Sequence, residues 1–204
     1  MSNMVENPEA YFKKFVHPRN ELLAALETEA EREEIPIVGP LVGELLSILA
    51  RVTRATSILE LGTATGYSAI YLARECETSN GRVVTLEKNT DMAARAKVNI
   101  HKAGLDDRVE IRVGDALEEI KKMQTFFDLI FMDIEKKYYI RALPDCHRLL
   151  KAGGLLVADN VAFKDADDFN HAIFDHPGWR SVNLFSFLPL HSPEHDGLCL
   201  AVRL

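Results

Sequence analysis

The sequence predicts an α/β fold: a doubly wound, Rossmann-like sheet that is mostly parallel and ends in an antiparallel strand. In the stretch Ser57–Ala73, a short apolar run breaks at a glycine and continues with helical spacing, as in a nucleotide-binding strand–turn–helix unit. From there onward, apolar runs alternate with helical patterns, which is typical of a parallel sheet. The last two apolar runs, Ser181–Leu188 and Leu198–Val202, are joined only by Pro189–Gly197. So short a connection predicts an antiparallel ending.

The first 52 residues predict a helical cap placed before the first strand. Asn20 is a typical start signal for a helix, and Leu41–Val52 resumes helical spacing after the break at Pro36. In this position the cap could roof a ligand site or form a dimer surface. A chain of 204 residues suffices for one domain with a full core. We therefore predict a single domain made of the cap (1–52) and the sheet (57–204).

Further strands and helices are predicted between the glycine turn and the antiparallel ending. The predicted strands are Arg82–Leu86, Val109–Val113, Phe127–Met132 and Leu155–Ala158, and the predicted helices are Asp91–Ala103, Ala116–Lys122 and Arg141–Leu150. Together with the strand that begins at Ser57 and the two at the end, these strands make a sheet of seven.

Composition and charge narrow the class of protein. The chain is 47% hydrophobic and 27% charged, as in an ordinary globular domain, and its net charge of −7 argues mildly against nucleic acid as the main partner. Three widely spaced cysteines, Cys76, Cys146 and Cys199, fit buried thiols in a reduced compartment. The sequence shows neither a signal peptide nor a run of about 18 apolar residues. We therefore expect a cytoplasmic protein without a membrane partner.

The glycine turn indicates what kind of ligand the sheet binds. Its pattern is E-x-G-x-x-x-G, from Glu60 through Gly62 to Gly66, rather than the dinucleotide fingerprint G-x-G-x-x-G. Glu60 and Thr63 bring polar groups to the carboxyl end of the first strand, where open α/β sheets bind ligands. An acidic residue there would repel a pyrophosphate but suits a cationic ligand with an α-amino group, such as S-adenosylmethionine. A purely structural turn is the alternative explanation.

Acidic residues close five successive predicted strands, and a parallel sheet would bring them to one edge. They are Glu60, Glu87, Asp115, Asp133 and Asp159. Glu87 lies 25 residues after Gly62, close to the spacing at which an acid accepts hydrogen bonds from ribose hydroxyls. Asp115 follows the third strand, where an adenine edge would lie, and we expect the adjoining Ala116 to share that position. Capping of the helix Ala116–Lys122 is a rival explanation for Asp115.

A second group of polar residues predicts a divalent-metal site. Asp133, Asp159 and Asn160 offer only hard oxygen ligands, which suit Mg²⁺, Mn²⁺ or Ca²⁺ and disfavour zinc. Such an ion is a Lewis acid that can promote ionisation of a bound hydroxyl. Lys136 lies three residues after Asp133, so on a helical turn it would stand on the same side and could remove the proton. Lys137 has the character of an ordinary solvated lysine.

The C-terminal loop contains two histidines spaced as in a helical metal site, His191 and His195. Pro193 lies between them and argues against the helix that would align them. We therefore expect a substrate-side loop here rather than a second metal site.

At this point the chain resembles a known family, the cation-dependent and S-adenosylmethionine-dependent O-methyltransferases, which include catechol and caffeoyl-coenzyme A O-methyltransferases and bacterial relatives. The resemblance runs from about Glu34 to the C-terminus. It rests on the segments IPIVGPLVG (Ile35–Gly43), LELGTATGYSAIYLA (Leu59–Ala73), VTLEK (Val84–Lys88), FDLIFMDIEKKYY (Phe127–Tyr139), LLKAGGLLVADNV (Leu149–Val161) and HDGLCL (His195–Leu200).

The resemblance implies roles for individual residues. It implies that Gly62, Ser68 and Glu87 bind S-adenosylmethionine, with Asp133 also close to the cofactor. The metal ligands would be Asp133, Asp159 and Asn160, and Lys136 stands where the family has its catalytic lysine. The implied fold is the seven-stranded methyltransferase sheet, and homodimers are frequent in the bacterial branch.

The identity of the acceptor does not follow from the resemblance. The loop Pro189–Asp196 matches neither the catechol nor the caffeoyl-coenzyme A enzymes. Separately, the pair Ile134-Glu135 differs from the animal and plant enzymes, which bears on the adenine-side contact. The leading hypothesis is metal-assisted methyl transfer to a small vicinal diol such as a catechol or another phenolic. A tRNA wobble hydroxyuridine O-methyltransferase is the alternative, and the negative net charge disfavours it. A nicotinamide-dependent oxidoreductase would leave Asp133, Lys136 and Asp159 without a role, and a non-catalytic scaffold fits least.

Overall fold

A seven-stranded sheet forms the centre of the computed structural model, which describes residues 3–204 except for the side chains of residues 77–79. The strands are β1 (Ser57–Leu61), β2 (Arg82–Glu87), β3 (Val109–Val113), β4 (Phe127–Met132), β5 (Leu150–Ala158), β6 (Trp179–Phe187) and β7 (His195–Arg203). Their order is β3-β2-β1-β4-β5-β7-β6. Strands β1 to β5 are parallel, and β7 is antiparallel to both β5 and β6. The predicted fold class and its antiparallel ending are therefore confirmed.

Helices cover both faces of the sheet, as in a doubly wound fold. They are α1 (Pro8–Phe12), α2 (Glu21–Glu33), α3 (Gly39–Val52), α4 (Tyr67–Ser79), α5 (Thr90–Lys102), α6 (Ala116–Lys122), α7 (Tyr139–Leu149) and α8 (Asp167–Asp175), with short 3₁₀ turns at Lys13–Phe15, Lys136–Tyr138 and Lys164–Ala166. Successive residues of β1 point to opposite faces, so Ile58 packs with α2 to α5 while Leu59 packs with α6 to α8. None of the helices in the described part of the chain combines the length and apolar character that crossing a bilayer requires.

Several element boundaries differ from the prediction, each for a local reason. β5 begins at Leu150 rather than at Leu155, because Gly153 adopts a φ of 78° and the strand pairs with Phe127 across an irregularity in register. β6 begins before the predicted Ser181 and β7 before the predicted Leu198. β6 lies at the edge of the sheet with most of its residues exposed, so its sequence lacks a clear alternation of apolar and polar residues.

The N-terminal cap is fixed to the sheet domain by a polar cluster around Glu27. Arg19 donates hydrogen bonds of 2.8–2.9 Å to both carboxylate oxygens of Glu27, and the hydroxyl of Tyr67 donates to the same carboxylate at 2.6 Å. The predicted start of α2 is confirmed, since the side chain of Asn20 accepts from the N–H of Leu23 at 3.0 Å. The cap thereby brings the segment that follows α2 to the carboxyl edge of the sheet.

Candidate active site

A cavity of about 540 Å³ opens at the carboxyl ends of β1, β2, β4 and β5. Its wall is formed by Pro36, Ile37, Gly62, Ala64, Leu86, Glu87, Lys88, Asp115, Ala116, Leu117, Asp133, Ile134, Glu135, Lys136, Lys137, Tyr138, Asp159, Asn160, Phe163, Asp165 and Ser192. A smaller chamber of about 100 Å³ shares part of this wall and adds Val38, Thr63, Thr65, Tyr67 and Ser68. Pro36 and Ile37 follow the cap helix α2, which agrees with the expectation that the cap roofs a ligand site. Most of the predicted site residues therefore border one space.

The glycines of the turn are required by the chain's own backbone. Gly62 has a φ of 100°, and a Cβ there would overlap the carbonyl oxygen of Asp133. Gly66 has a φ of 84° and caps α4, and a Cβ there would lie 3.3 Å from the side chain of Ala96. The backbone conformation and the close neighbours therefore explain by themselves why glycine stands at both positions. Gly62 also borders the cavity, whereas Gly66 lies outside the residues that form its wall.

Glu87 ends β2 and organises the turn that follows β1. One of its carboxylate oxygens accepts from the backbone N–H groups of Thr63 at 3.2 Å and Ala64 at 2.8 Å, and the other accepts from the N–H of Asn89 at 2.8 Å. A carboxylate oxygen has about two acceptor sites, so the oxygen that accepts only from Asn89 keeps capacity for a ligand hydroxyl. The side chain is largely buried yet borders both cavities. This position agrees with the predicted ribose contact, which stays a prediction.

Asp115 and Ala116 lie next to Glu87 on the cavity wall. The side chain of Asp115 accepts from the N–H of Glu118 at 3.2 Å and caps α6, which begins at Ala116. The rival capping explanation is therefore correct for the conformation of Asp115. It does not exclude a ligand contact, because both residues also border the cavity.

Glu60 differs from the other acids because it is completely buried beneath the turn. The hydroxyl of Thr85 donates to its Oε2 at 2.5 Å and accepts from the hydroxyl of Thr63 at 2.6 Å, while its Oε1 has no hydrogen-bond partner among the described residues. Burial raises the pKa of Glu60 to about 8, and the hydrogen bonds from Ser68 and Thr85 only partly oppose that rise. Thr63 and Ser68 border the smaller chamber, but Glu60 lies behind the wall of both cavities.

The three predicted metal ligands come from the ends of two neighbouring strands. Met132 of β4 pairs with Ala158 of β5, and the N–H of Asp159 donates to the carbonyl of Met132 at 3.0 Å. The buried hydroxyl of Tyr139 donates to the carbonyl of Asp159 at 2.9 Å and so ties α7 to the same point. The predicted adjacency of the two strand ends is confirmed, and Asp133, Asp159 and Asn160 all border the cavity.

Lys136 stands beside Asp133 as the spacing predicts. Its Nζ lies 2.9 Å from Oδ1 of Asp133, and the two side chains are 21% and 26% exposed. The residue belongs to the 3₁₀ turn Lys136–Tyr138, which leads into α7. Lys137 is 54% exposed and pairs with Glu135 at 2.8 Å, in agreement with an ordinary solvated lysine.

Sequence reasoning missed that His191 reaches the site. No helix aligns the two histidines of the C-terminal loop, as predicted, but His191 is buried and its Nε2 lies 2.9–3.0 Å from both carboxylate oxygens of Asp159. Its Nδ1 lies 2.6 Å from the carbonyl of Pro193. His195 instead pairs with Glu9 at the surface. The carbonyl of Pro193 can only accept, so Nδ1 donates; with Asp159 ionised, Nε2 donates as well and the ring is an imidazolium.

Burial and charge act in opposite directions on this pair. Burial alone would lower the pKa of His191, but the hydrogen bond and the negative charge of Asp159 outweigh it and raise the pKa above its usual value. Burial raises the pKa of Asp159, and the hydrogen bonds from His191 and from the N–H of Asn160 oppose that rise. The only signal for His191 in the sequence was its spacing from His195. That spacing suggested a shared metal site, whereas the two side chains contact different partners.

Asp196 is a second residue that sequence reasoning did not assign. It lies at the start of β7, is completely buried and contacts the amide of Asn160 at 2.6 Å. The predicted metal set itself consists of two carboxylates and one amide. Among the residues whose side chains are described, three or more His, Cys, Asp or Glu do not come together in a way that could hold a metal ion. An ion at this site would therefore depend on the oxygen of Asn160.

Comparisons with known proteins agree with this arrangement. Residues 16–169 match the family model of the O-methyltransferases. A catechol O-methyltransferase from Niastella koreensis is 42% identical over 145 residues, which cover 69% of this chain and 65% of that relative. A catechol O-methyltransferase from Sus scrofa is 36% identical over 179 residues, which cover 84% of this chain and 95% of that relative.

Solved structures show the same architecture over nearly the whole chain. The crystal structure of an O-methyltransferase from Bacillus cereus in complex with S-adenosylhomocysteine matches with a TM-score of 0.86 at 29% identity, covering 96% of both chains. The chain spans only about 65% of the length of the bacterial relative from Niastella koreensis. The family model and the solved structure nevertheless agree with the fold and the family. This chain belongs to the O-methyltransferase family.

Proposed function

We propose that this chain transfers a methyl group from S-adenosylmethionine to a hydroxyl oxygen of a small vicinal diol, such as a catechol, with the help of a divalent cation. The observation that carries the proposal is the convergence of Asp133, Lys136, Asp159 and Asn160 on one cavity that Glu87 also borders. Catechol O-methyltransferases among the relatives support the acceptor class.

The polar groups around the smaller chamber fit the cofactor. Oγ1 of Thr65, which borders the smaller chamber, is buried without a hydrogen-bond partner among the described residues. Unpaired buried polar atoms are rare and are often satisfied by a ligand or by water. We infer that Glu87 would hold the ribose, that Asp115 and Ala116 would border the adenine, and that the amino-acid end would lie toward Ser68. The Bacillus cereus relative, crystallised with S-adenosylhomocysteine, supports this inference.

The donor set fits a hard divalent cation. Nδ2 of Asn160 faces the carboxylate of Asp196 at 2.6 Å and the carbonyl of Ser192 at 3.2 Å, and both of these groups can only accept. The amide must therefore keep its nitrogen on that side, which leaves the carbonyl oxygen for an ion beside Asp133 and Asp159. Two carboxylates and one carbonyl suit Mg²⁺ or Mn²⁺. When bound, the cation would supply a Lewis acid that favours ionisation of the acceptor hydroxyl.

Residues of this chain would place the acceptor and move its proton. Lys136 is held at the cavity wall by its contact with Asp133, and Nζ in its neutral form can accept the proton of an acceptor hydroxyl. Ile37, Tyr138 and Phe163 give the same cavity apolar wall, which suits an aromatic ring and helps to exclude water. Holding both reactants in line would supply much of the rate enhancement.

The proposal is tested with radiolabelled S-adenosylmethionine and matched acceptors. Catechol should be methylated, whereas phenol and resorcinol should react far more slowly, because neither offers two adjacent hydroxyls to one ion. A chelator should remove the activity, and Mg²⁺ should restore it. Undiminished turnover after chelation, or equal rates with catechol and resorcinol, would contradict the mechanism. Methylation of tRNA that carries a wobble hydroxyuridine, in place of catechol, would favour the alternative, a tRNA methyltransferase.

The predicted homodimer and the predicted cytoplasmic location remain predictions. Light scattering on the purified chain would measure the oligomeric state directly. Ile48 and Val52 on α3 are 57% and 74% exposed and could contribute to such an interface.

A further inference from the structure

Asp196 is a completely buried carboxylate whose partners all come from the metal-binding side of the sheet. Its Oδ2 accepts from Nδ2 of Asn160 at 2.6 Å. Its Oδ1 accepts from the backbone N–H groups of Ala162 at 3.2 Å and Gly197 at 2.6 Å. Three hydrogen bonds to an ionised acceptor hold the side chain in one orientation. Asp196 does not border the cavity itself.

The orientation of the Asn160 amide depends on this carboxylate. A carboxamide has nearly the same shape when its oxygen and nitrogen are exchanged, so packing alone does not decide which atom faces the cavity. Two acceptors lie on one side of the amide, the carboxylate of Asp196 and the carbonyl of Ser192. They bind only the nitrogen, and the oxygen is left on the side of the cavity.

We propose that Asp196 is a positioning residue that fixes the Asn160 amide with its oxygen toward the cavity and thereby sets the affinity for the divalent cation. The inference rests on the metal-assisted function proposed above. An amide turned the other way would present N–H groups to a cation, which repel it. Asn160 also has a φ of 52°, so its backbone is held in the left-handed region next to the same contact.

A purely structural role for Asp196 makes a different prediction. Its bonds to the N–H groups of Ala162 and Gly197 join β7 to the segment after β5, so any substitution could lower stability. If the role of Asp196 were purely structural, its substitution would lower the melting temperature but leave the folded protein with its ordinary cation affinity. The experiment must therefore measure cation binding and stability on the same samples.

The test is Asp196→Asn, with Mn²⁺ binding followed by electron paramagnetic resonance in the presence of S-adenosylhomocysteine. The new amide can donate to the oxygen of Asn160 and turn it away from the cavity. We expect Mn²⁺ affinity to fall about 10- to 100-fold, as is usual when the partner of a metal ligand is lost. Calorimetric affinity for S-adenosylhomocysteine should stay close to that of the wild type. The matched control is Glu194→Gln, which changes a carboxylate of the same loop that bonds to the N–H of Leu190.

A reciprocal exchange makes the test independent of the stability of the single variant. In the double variant Asp196→Asn with Asn160→Asp, the amide at 196 can donate to the carboxylate at 160, whose second oxygen then faces the cavity. We expect Mn²⁺ affinity to return to at least the wild-type level. Unchanged Mn²⁺ affinity in Asp196→Asn, or no recovery in a folded exchange variant, would overturn the proposal. A wild-type chain that binds S-adenosylhomocysteine but not Mn²⁺ would overturn the metal-assisted function itself, and this inference with it.

Discussion

The two halves of the site are built in different ways. On the side of β1 and β2, Glu87 accepts from the N–H groups of Thr63 and Ala64, which belong to the adjoining strand–turn–helix unit. On the side of β4 and β5, Asp159 and Asn160 depend on His191 and Asp196, which lie 32 and 36 residues further along the chain. The first half is a local motif, whereas the second half requires the C-terminal loop to fold over it.

The largest expected effect is on turnover, and it should distinguish Lys136 from the adjacent Lys137 in the second half. Lys136→Met should lower turnover about 10²- to 10⁴-fold, the usual contribution of a positioned proton-transfer group. Lys137→Met is the matched control, because Lys137 pairs with the exposed Glu135 rather than with Asp133, and the variant should keep nearly full turnover. Steady-state rates with catechol, together with calorimetric S-adenosylhomocysteine binding, measure both effects. Full turnover in Lys136→Met would show that this lysine does not take the proton.

The next effect tests how much the C-terminal loop contributes to stability. His191→Leu removes one partner of a buried ion pair and leaves Asp159 unpaired, so the free energy of unfolding should fall by about 3–5 kcal/mol. His195→Leu breaks only an exposed pair with Glu9, and the free energy of unfolding should change by no more than about 1 kcal/mol. Urea unfolding of both variants at one pH gives the comparison. Similar losses of unfolding free energy in the two variants would mean that the buried pair stabilises the fold no more than the exposed pair does.

The last effect concerns the first half, appears as a pH dependence and is the smallest over any single pH unit. Folded Glu60 keeps its proton up to its pKa of about 8, while the unfolded chain releases it near the ordinary value of about 4.3. Between these values the unfolded state binds fewer protons, so this group lowers the free energy of unfolding by at most about 1.4 kcal/mol per pH unit as the pH rises.

The variant Glu60→Gln isolates this contribution. It has no proton to lose, so its stability should depend less on pH than that of the wild type between about pH 5 and pH 8. The exposed Glu31→Gln serves as the control and should keep the wild-type slope. Urea unfolding across this pH range measures the slopes, and identical slopes in all three proteins would show that Glu60 is not protonated in the fold.

The difference between the halves also explains what the sequence could predict. The bounds of β3 and β4 agree with the prediction because their apolar runs end at clear turn residues. The convergence of Asp133 with Asp159 could be predicted because strand order in a doubly wound sheet follows from a few rules. These features depend on local patterns and on topology, which a single sequence contains.

The contacts of the C-terminal loop could not be predicted in the same way. The partner of His191 depends on how the whole loop after β6 folds, and no periodic pattern encodes that path. Asp196 stood in a segment that supported the family resemblance, but a buried carboxylate with three donors has no signature in the sequence. Pro193 correctly excluded a helix, yet it did not show where the side chain of His191 would go.

The antiparallel direction of β7 determines which part of the cavity its hairpin with β6 can reach. Because β7 runs against its neighbours, its beginning rather than its end meets the end of β5, and the N–H of Val161 donates to the carbonyl of Gly197 at 2.9 Å. The segment between β6 and β7 thus reaches the cavity beside Asn160 through Ser192, on the side away from Glu87. Exchanging the segment between these strands, while keeping His191 and Asp196, would be a way to redesign acceptor preference and leave the cofactor side untouched.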